Sequence, residues 1–154
     1  MQALLTALTN QAQADGVQVY ITGGIFVYDG KVLIVQRAAG DNYLPNFWEV
    51  PGGKVDVGED LIAGFNREMF EETGLKNLKI TRFTTTFDYL SRSGKFARQF
   101  NFLINCDVLP EIKLDPAEHQ NMAWVEPNLN ALVAYDMTDH AKALIVSAFI
   151  ARLT

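Results

Sequence analysis

Gly53-Lys54-Val55-Asp56-Val57-Gly58-Glu59, then seven residues, then Arg67-Glu68-Met69-Phe70-Glu71-Glu72-Thr73-Gly74-Leu75: this stretch decides how the chain is read. Between Asp60 and Thr73 the apolar residues Ile62, Phe65 and Met69 recur at helical spacing, and Gly74 is placed to end a helix in the left-handed conformation. On that helix Glu68, Glu71 and Glu72 stand at i, i+3 and i+4, so three carboxylates project from one face, and Glu59 can approach from the preceding loop. Like charges this close cost an isolated helix about 0.2–0.5 kcal/mol per pair. Hard divalent cations offset such repulsion and leave coordination sites for phosphates, and Arg67 can hold one carboxylate by paired hydrogen bonds. Taken alone, the triplet reads more readily as a solvated charged face. The fixed distances to Gly53, Glu59, Arg67 and Gly74 shift that reading toward a metal site.

Outward from this helix, the chain alternates strand and helix signals. Met1 to Ala14 carries Ala3, Leu4, Leu5, Ala7 and Leu8 and predicts a short amphipathic helix within residues 1–15 that packs against the domain or a second subunit. Val17 to Tyr28, Asp29-Gly30 and Lys31 to Arg37 predict a β-hairpin. Asn42 to Asn46 reads as a loop, and Phe47 to Val50 as a short extended piece running into Pro51-Gly52-Gly53. Leu78 to Leu90 and Lys95 to Val108 predict a second hairpin around Ser91-Arg92-Ser93-Gly94. A polar loop from Leu109 to Asn121, a strand from Met122 to Val125 and a helix from Thr138 to Leu153 complete the chain. Helix and strand segments so interleaved predict an α+β fold, a sandwich of helices on both faces of a mixed sheet.

The 154 residues are sized for a single domain spanning 1–154, and 49% apolar residues suffice for a substantial core. A formal net charge of -5 disfavours a nucleic-acid polymer as partner but is compatible with a small polyphosphate bridged to carboxylates by cations. Cys106 is the only cysteine, which excludes an internal disulfide and suits a reducing compartment. The N-terminus lacks a signal-peptide pattern and no apolar run reaches about 20 residues, so a cytoplasmic protein without membrane association, monomeric or homodimeric, is expected.

Gly53, Glu59, Arg67-Glu68, the apolar Met69, Glu71-Glu72, Gly74 and the apolar Leu75 together resemble a complete Nudix box. The lead-in Trp48-Glu49-Val50-Pro51-Gly52-Gly53 and the strand ending in Gln36-Arg37 are also similar to that family. The resemblance implies an α/β/α sandwich and a metal-dependent hydrolase that cuts a diphosphate bond by attack of water on phosphorus. It implies Glu68, Glu71 and Glu72 as ligands of Mg²⁺ (or Mn²⁺), the Gly52 carbonyl as a further ligand, Arg67 as their orienting residue, and Glu59 as an accessory metal contact. A glutamate from a later loop often joins such sites as ligand or base, and Glu118, in Pro116-Ala117-Glu118-His119, matches that placement; Glu72 or Glu118 is the candidate general base, and spacing alone does not rank the two. Phe65 departs from the family, where a small alanine is common two positions before the arginine, and suggests a roomier helix–sheet contact.

Substrate signals are weaker. Marks of ADP-ribose, dinucleoside polyphosphate and coenzyme A hydrolases are absent, so the resemblance is nearest to the broad group that contains nucleoside triphosphate pyrophosphohydrolases. A nucleoside di- or triphosphate is the expected substrate, with ADP-ribose or another nucleoside diphosphate derivative as the alternative. Arg37, Phe47, Tyr89 and Arg98 are candidate substrate contacts. Among the aromatics, Tyr20, Phe26, Tyr43, Phe100 and Phe102 share the ability to stack on a base but are more readily core residues. His119 and His140 read as exposed histidines without a role, and Lys54 and Asp56 as solvated loop residues. Two rivals stand against the hydrolase: a nucleotide-binding or regulatory module, expected to have lost a glutamate, and an isoprenoid diphosphate isomerase, expected to have a reactive cysteine and a degenerate box. Neither pattern is present.

Overall fold

The computed structural model describes residues 1–150. Its elements are α1 (Gln2–Ala14), β1 (Val19–Tyr28), β2 (Lys31–Arg37), β3 (Trp48–Glu49), β4 (Gly52–Lys54), α2 (Leu61–Thr73), β5 (Arg82–Leu90), β6 (Phe96–Asn105), β7 (His119–Val125), α3 (Leu129–Leu132) and α4 (Asp139–Ile150). The expected helices at both ends are present; the last three residues of the predicted C-terminal helix, 151–153, lie outside the described residues.

The strands form one mixed sheet in the order β3-β2-β1-β6-β5, with β4 on β1 and β7 on β2. The Asp29-Gly30 tip has positive φ at both residues, as a type I′ turn demands. Beyond the tip the hairpin parts: β1 pairs with β2 only at Val27↔Val32 and Tyr28↔Lys31. Further along, β1 takes β4 as partner from Ile21 to Gly23, while β2 takes β3 at Val35 and Gln36. The segment from Trp48 to Lys54 therefore fills the wedge between two diverging strands. Past Pro51, the glycine pair into which the extended piece runs enters the sheet, with Gly23 opposite Gly52. No contiguous apolar pattern marks a three-residue strand, so the sequence gives no cue to it.

Side chains alternate across the sheet and fill two cores. On one side Phe26, Leu33, Val35, Phe100, Phe102 and Ile104 pack with Phe65 and Met69 of α2 and Leu5 and Ala12 of α1. On the other, Ile25, Val27, Val32, Ile34, Leu103 and Val125 pack with Leu132 of α3 and Leu144, Ile145 and Ala148 of α4. This is the expected α/β/α arrangement, with α1 packed on its own chain. Phe65 is fully buried at the helix–sheet contact, edge-on to Phe102 at 5.0 Å between ring centroids. Tyr20, Phe26, Phe100 and Phe102 all belong to this core, and half-buried Cys106 packs against it.

Some boundaries and one element differ from the sequence reading. β5 starts at Arg82 because Leu78 and Ile80 pack on the core as irregular chain. β7 starts at His119 rather than Met122, through a bulge opposite Gln36 and Arg37. α3 is a single capped turn, too short for periodicity to reveal.

Candidate active site

Asp60 caps α2 by accepting hydrogen bonds from the Ile62 and Ala63 N–H groups, and Gly74 ends the helix at φ 74°. These caps fix the register of the acidic face. Arg67 is its hub. Nε and Nη2 donate to the two oxygens of Glu59 at 3.0 and 2.9 Å, Nη1 donates to Glu68 at 2.7 Å and Glu71 at 3.4 Å, and Nη2 also reaches the Lys54 carbonyl at 2.9 Å. The paired bonds from Arg67, with a further one from the Asp56 N–H, hold the Glu59 carboxyl down at about 2.

Glu72 is buried, at 6% exposure, and its Oε2 accepts a hydrogen bond of 2.8 Å from the Gly52 N–H. Burial raises its pKa well above the ordinary carboxylate value; the Gly52 bond opposes this, while the charges of Glu49, Glu68 and Glu118 add to it. Burial also raises Glu68, against the pull of Arg67. Glu68, Glu71 and Glu72 line one cavity of about 360 Å³ with Arg37, Gly52, Gly53, Lys54, Asp115 and Glu118. Among the described residues no three acidic, His or Cys side chains converge as a closed metal cage. Arg67 draws Glu68 and Glu71 to one side, and the Gly52 N–H draws Glu72 to another. The donor set is nonetheless hard oxygen throughout, with more negative charge than Arg67 can balance, which suits a divalent cation of the Mg²⁺ class.

Of the residues singled out from the sequence, Gly52, Glu68, Glu71, Glu72, Glu118 and Arg37 meet at this cavity. Glu59 sits behind Arg67 rather than on the cavity wall. Arg98 is not a substrate contact of this cavity: it is bound by Asp88 at 2.6 and 2.7 Å and by Asp15 at 3.0 Å, across the β5–β6 ladder and onto the end of α1. Phe47 and Tyr89 also lie off the cavity wall; burial raises the Tyr89 pKa, with smaller contributions from Tyr43 and Glu49. Arg37 is not a free surface charge; it binds Asp41, Glu49 and the Tyr43 carbonyl, which fastens the 38–46 loop beside the site. His119 is buried at 2% exposure, not an exposed loop residue, because the β7 bulge turns it inward onto Glu49. His140 is exposed but stacks on Phe87 at 5.1 Å. Lys54 lines the cavity, as does Asp115, which sequence spacing did not single out. Glu49 was also missed as a functional candidate: in the sequence it was only part of a lead-in motif.

The two glycines at the cavity separate fold from site. A Cβ on Gly52 would stand 2.2 Å from the Thr22 carbonyl oxygen, a backbone atom that cannot move away without breaking the β1–β4 pairing. Gly52→Ala is expected to destabilise by about 1–3 kcal/mol or more, measured by urea unfolding. A Cβ on Gly53 would stand 1.9 Å from Glu68 Oε2, the end of a side chain that can swing aside. Gly53→Ala is therefore expected to unfold within about 1 kcal/mol of the parent while displacing Glu68 from the cavity and lowering turnover.

Comparison with known proteins agrees with this geometry. The family model described as the NUDIX domain matches residues 21–145. An m7GpppN-mRNA hydrolase of Xenopus laevis is 39% identical over 70 residues, covering 46% of this chain and 24% of its own length, so the match spans about a quarter of that relative. An RNA pyrophosphohydrolase of Bartonella quintana is 24% identical over 148 residues, covering 81% of this chain and 85% of its own. The MutT protein of Methanosarcina mazei Go1 superposes with a TM-score of 0.76 at 20% identity, over 91% of this chain and 99% of that one. The sheet wedge, the capped acidic helix and the family match together identify the chain as a member of the Nudix family.

Proposed function

We propose that the protein is a divalent-metal-dependent hydrolase that cleaves a diphosphate linkage in a nucleoside di- or triphosphate, and that it works in the cytoplasm. The observation that carries this reading is the buried Glu72, fixed by the Gly52 N–H, in a cavity it shares with Glu68, Glu71 and, from a separate loop, Glu118. Glu68, Glu71, Glu72 and the Gly52 carbonyl are the groups that would hold Mg²⁺ or Mn²⁺, with Glu59 as an indirect support through Arg67. The cation supplies neutralisation of phosphoryl charge and acidification of a water molecule. Arg67 gathers Glu68 and Glu71 and orients them. Glu118 is our assignment for the proton acceptor, since no hydrogen bond occupies its carboxylate among the described residues, whereas Glu68, Glu71 and Glu72 are each engaged. Lys54 and Arg37 are the cations on the cavity wall that can meet phosphate oxygens.

The test is a panel of nucleoside triphosphates and diphosphates, ADP-ribose, dinucleoside polyphosphates, sugar nucleotides and 5′-triphosphorylated RNA, each with Mg²⁺, with Mn²⁺ and with EDTA. We expect phosphate or pyrophosphate release from a nucleoside di- or triphosphate, suppressed by EDTA. Tight nucleotide binding with no turnover under any metal sinks the hydrolase reading in favour of a binding module, and preference for ADP-ribose replaces the substrate class while leaving the reaction.

A further inference from the structure

We propose that His119 is a positioning residue that sets the Glu118 carboxylate at the cavity, acting through Glu49; the inference rests on the role given to Glu118 above. The bulge pairs Arg37 with His119 and Gln36 with Asn121, leaving Gln120 as the extra residue and reversing the direction of the side chain before it. The imidazole is thereby turned inward, 2% exposed, with Nε2 at 3.1 Å from Glu49 Oε1. A carboxylate oxygen only accepts, so Nε2 carries the hydrogen and donates it. The same oxygen accepts from Arg37 Nη1 at 3.0 Å. One oxygen thus ties the last residue of β2 and the first residue of β7 to β3.

Nδ1 of His119 is buried without any partner. A buried polar atom left unpaired carries a desolvation penalty that an apolar residue there would not. The one directed bond to Glu49 is what the imidazole supplies in return. Glu118 is clamped between this anchor and the turn before it: its carbonyl accepts from the Ala38 N–H at 2.9 Å, while its own N–H and that of His119 both donate to the Asp115 carbonyl, at 3.0 and 2.8 Å. With the residue after it locked inward and the backbone on both sides fixed, Glu118 is left facing Glu68, Glu71 and Glu72 across the cavity.

The test is a double-mutant cycle on the full chain, using Mg²⁺ and the nucleotide that the panel shows to be turned over best. His119→Phe is expected to lower kcat about tenfold, as loss of a supporting hydrogen bond to a site does, with KM changed by less than about threefold. His119→Gln, whose side-chain amide nitrogen can take the place of Nε2, is expected to recover most of that loss. Placed on Glu118→Gln, His119→Phe is expected to cost less than about twofold more, because it acts through a carboxylate already removed. Where His119→Phe does not fold, His119→Leu removes the same hydrogen bond with a smaller side chain and is held to the same pattern. Multiplicative losses in the double variant, or a His119→Gln variant as slow as His119→Phe, overturn the positioning role and leave the assignment of Glu118 standing. Full activity in Glu118→Gln alone removes that assignment and the inference with it.

Discussion

Glu72→Gln is expected to lose metal-supported diphosphate hydrolysis by about 10³-fold or more while making the metal-free protein more stable. Each factor of ten in rate is about 1.4 kcal/mol of barrier, and a lost charge at a metal site is a matter of several kcal/mol, so three decades is the lower bound. The amide oxygen of Gln keeps the hydrogen bond from the Gly52 N–H and removes the buried negative charge. Stability moves the other way from activity for that reason. In the parent protein the raised Glu72 pKa means that the native state holds its proton more tightly than the unfolded chain. Its charged form is penalised only in the fold, so its contribution is most favourable below the ordinary carboxylate range and is lost as pH rises through the raised value. The thermal midpoint in EDTA should therefore climb as pH falls through the raised Glu72 value toward the ordinary carboxylate range, and Glu72→Gln should flatten that slope. At lower pH still, the depressed Glu59 and Asp88 add the opposite trend. A Glu72→Gln enzyme that turns over at the parent rate, or that melts earlier in EDTA, contradicts the assignment.

Arg67→Ala is expected to reduce turnover by about 10²-fold, at the upper end for groups that orient ligands, and to lower the metal-free melting temperature. The guanidinium donates to both oxygens of Glu59 and reaches Glu68, Glu71 and the Lys54 carbonyl. Removing it releases the 54–59 loop and leaves the helix carboxylates repelling one another. Arg67→Lys should fare little better, since an ammonium cannot form the planar fork on Glu59. Saturating Mg²⁺ should return part of the lost melting temperature in the Ala variant, because a cation then screens the same carboxylates. A variant whose melting temperature falls equally with and without Mg²⁺ contradicts a shared electrostatic site.

What the sequence made legible was local chemistry. The Ile62-Phe65-Met69 spacing and Gly74 contain α2 and its end, and the fixed offsets gather Glu59, Arg67, Glu68, Glu71 and Glu72 at one place; the Asp60 cap and the hold of Arg67 on Glu59, Glu68 and Glu71 together emerge only in the fold. Asp29-Gly30 contains the hairpin tip. What was not legible depends on pairing at a distance. The entry of Gly52 into the sheet is set by Gly23, far back in the chain, and the inward turn of His119 is set by a bulge against Arg37. Arg98 looked available for phosphate because Asp15 and Asp88 are remote in sequence and close only in the fold.

The parallel pairing of β1 with β6 joins Val19–Val27 to Ala97–Asn105 in an unbroken ladder. Every contact in that ladder closes a loop that contains the entire acidic helix and the glycine strand beside it. Loop closure of this span delays the reward until much of the chain has collapsed, so this fold belongs with the slower folders, in milliseconds to seconds rather than microseconds. During synthesis the helix with its glutamates leaves the ribosome first and must wait for the strand that completes the sheet beneath it. The protein's chemistry is thus gated by translation itself: no nascent chain can assemble the cavity before the residues of β6 have emerged.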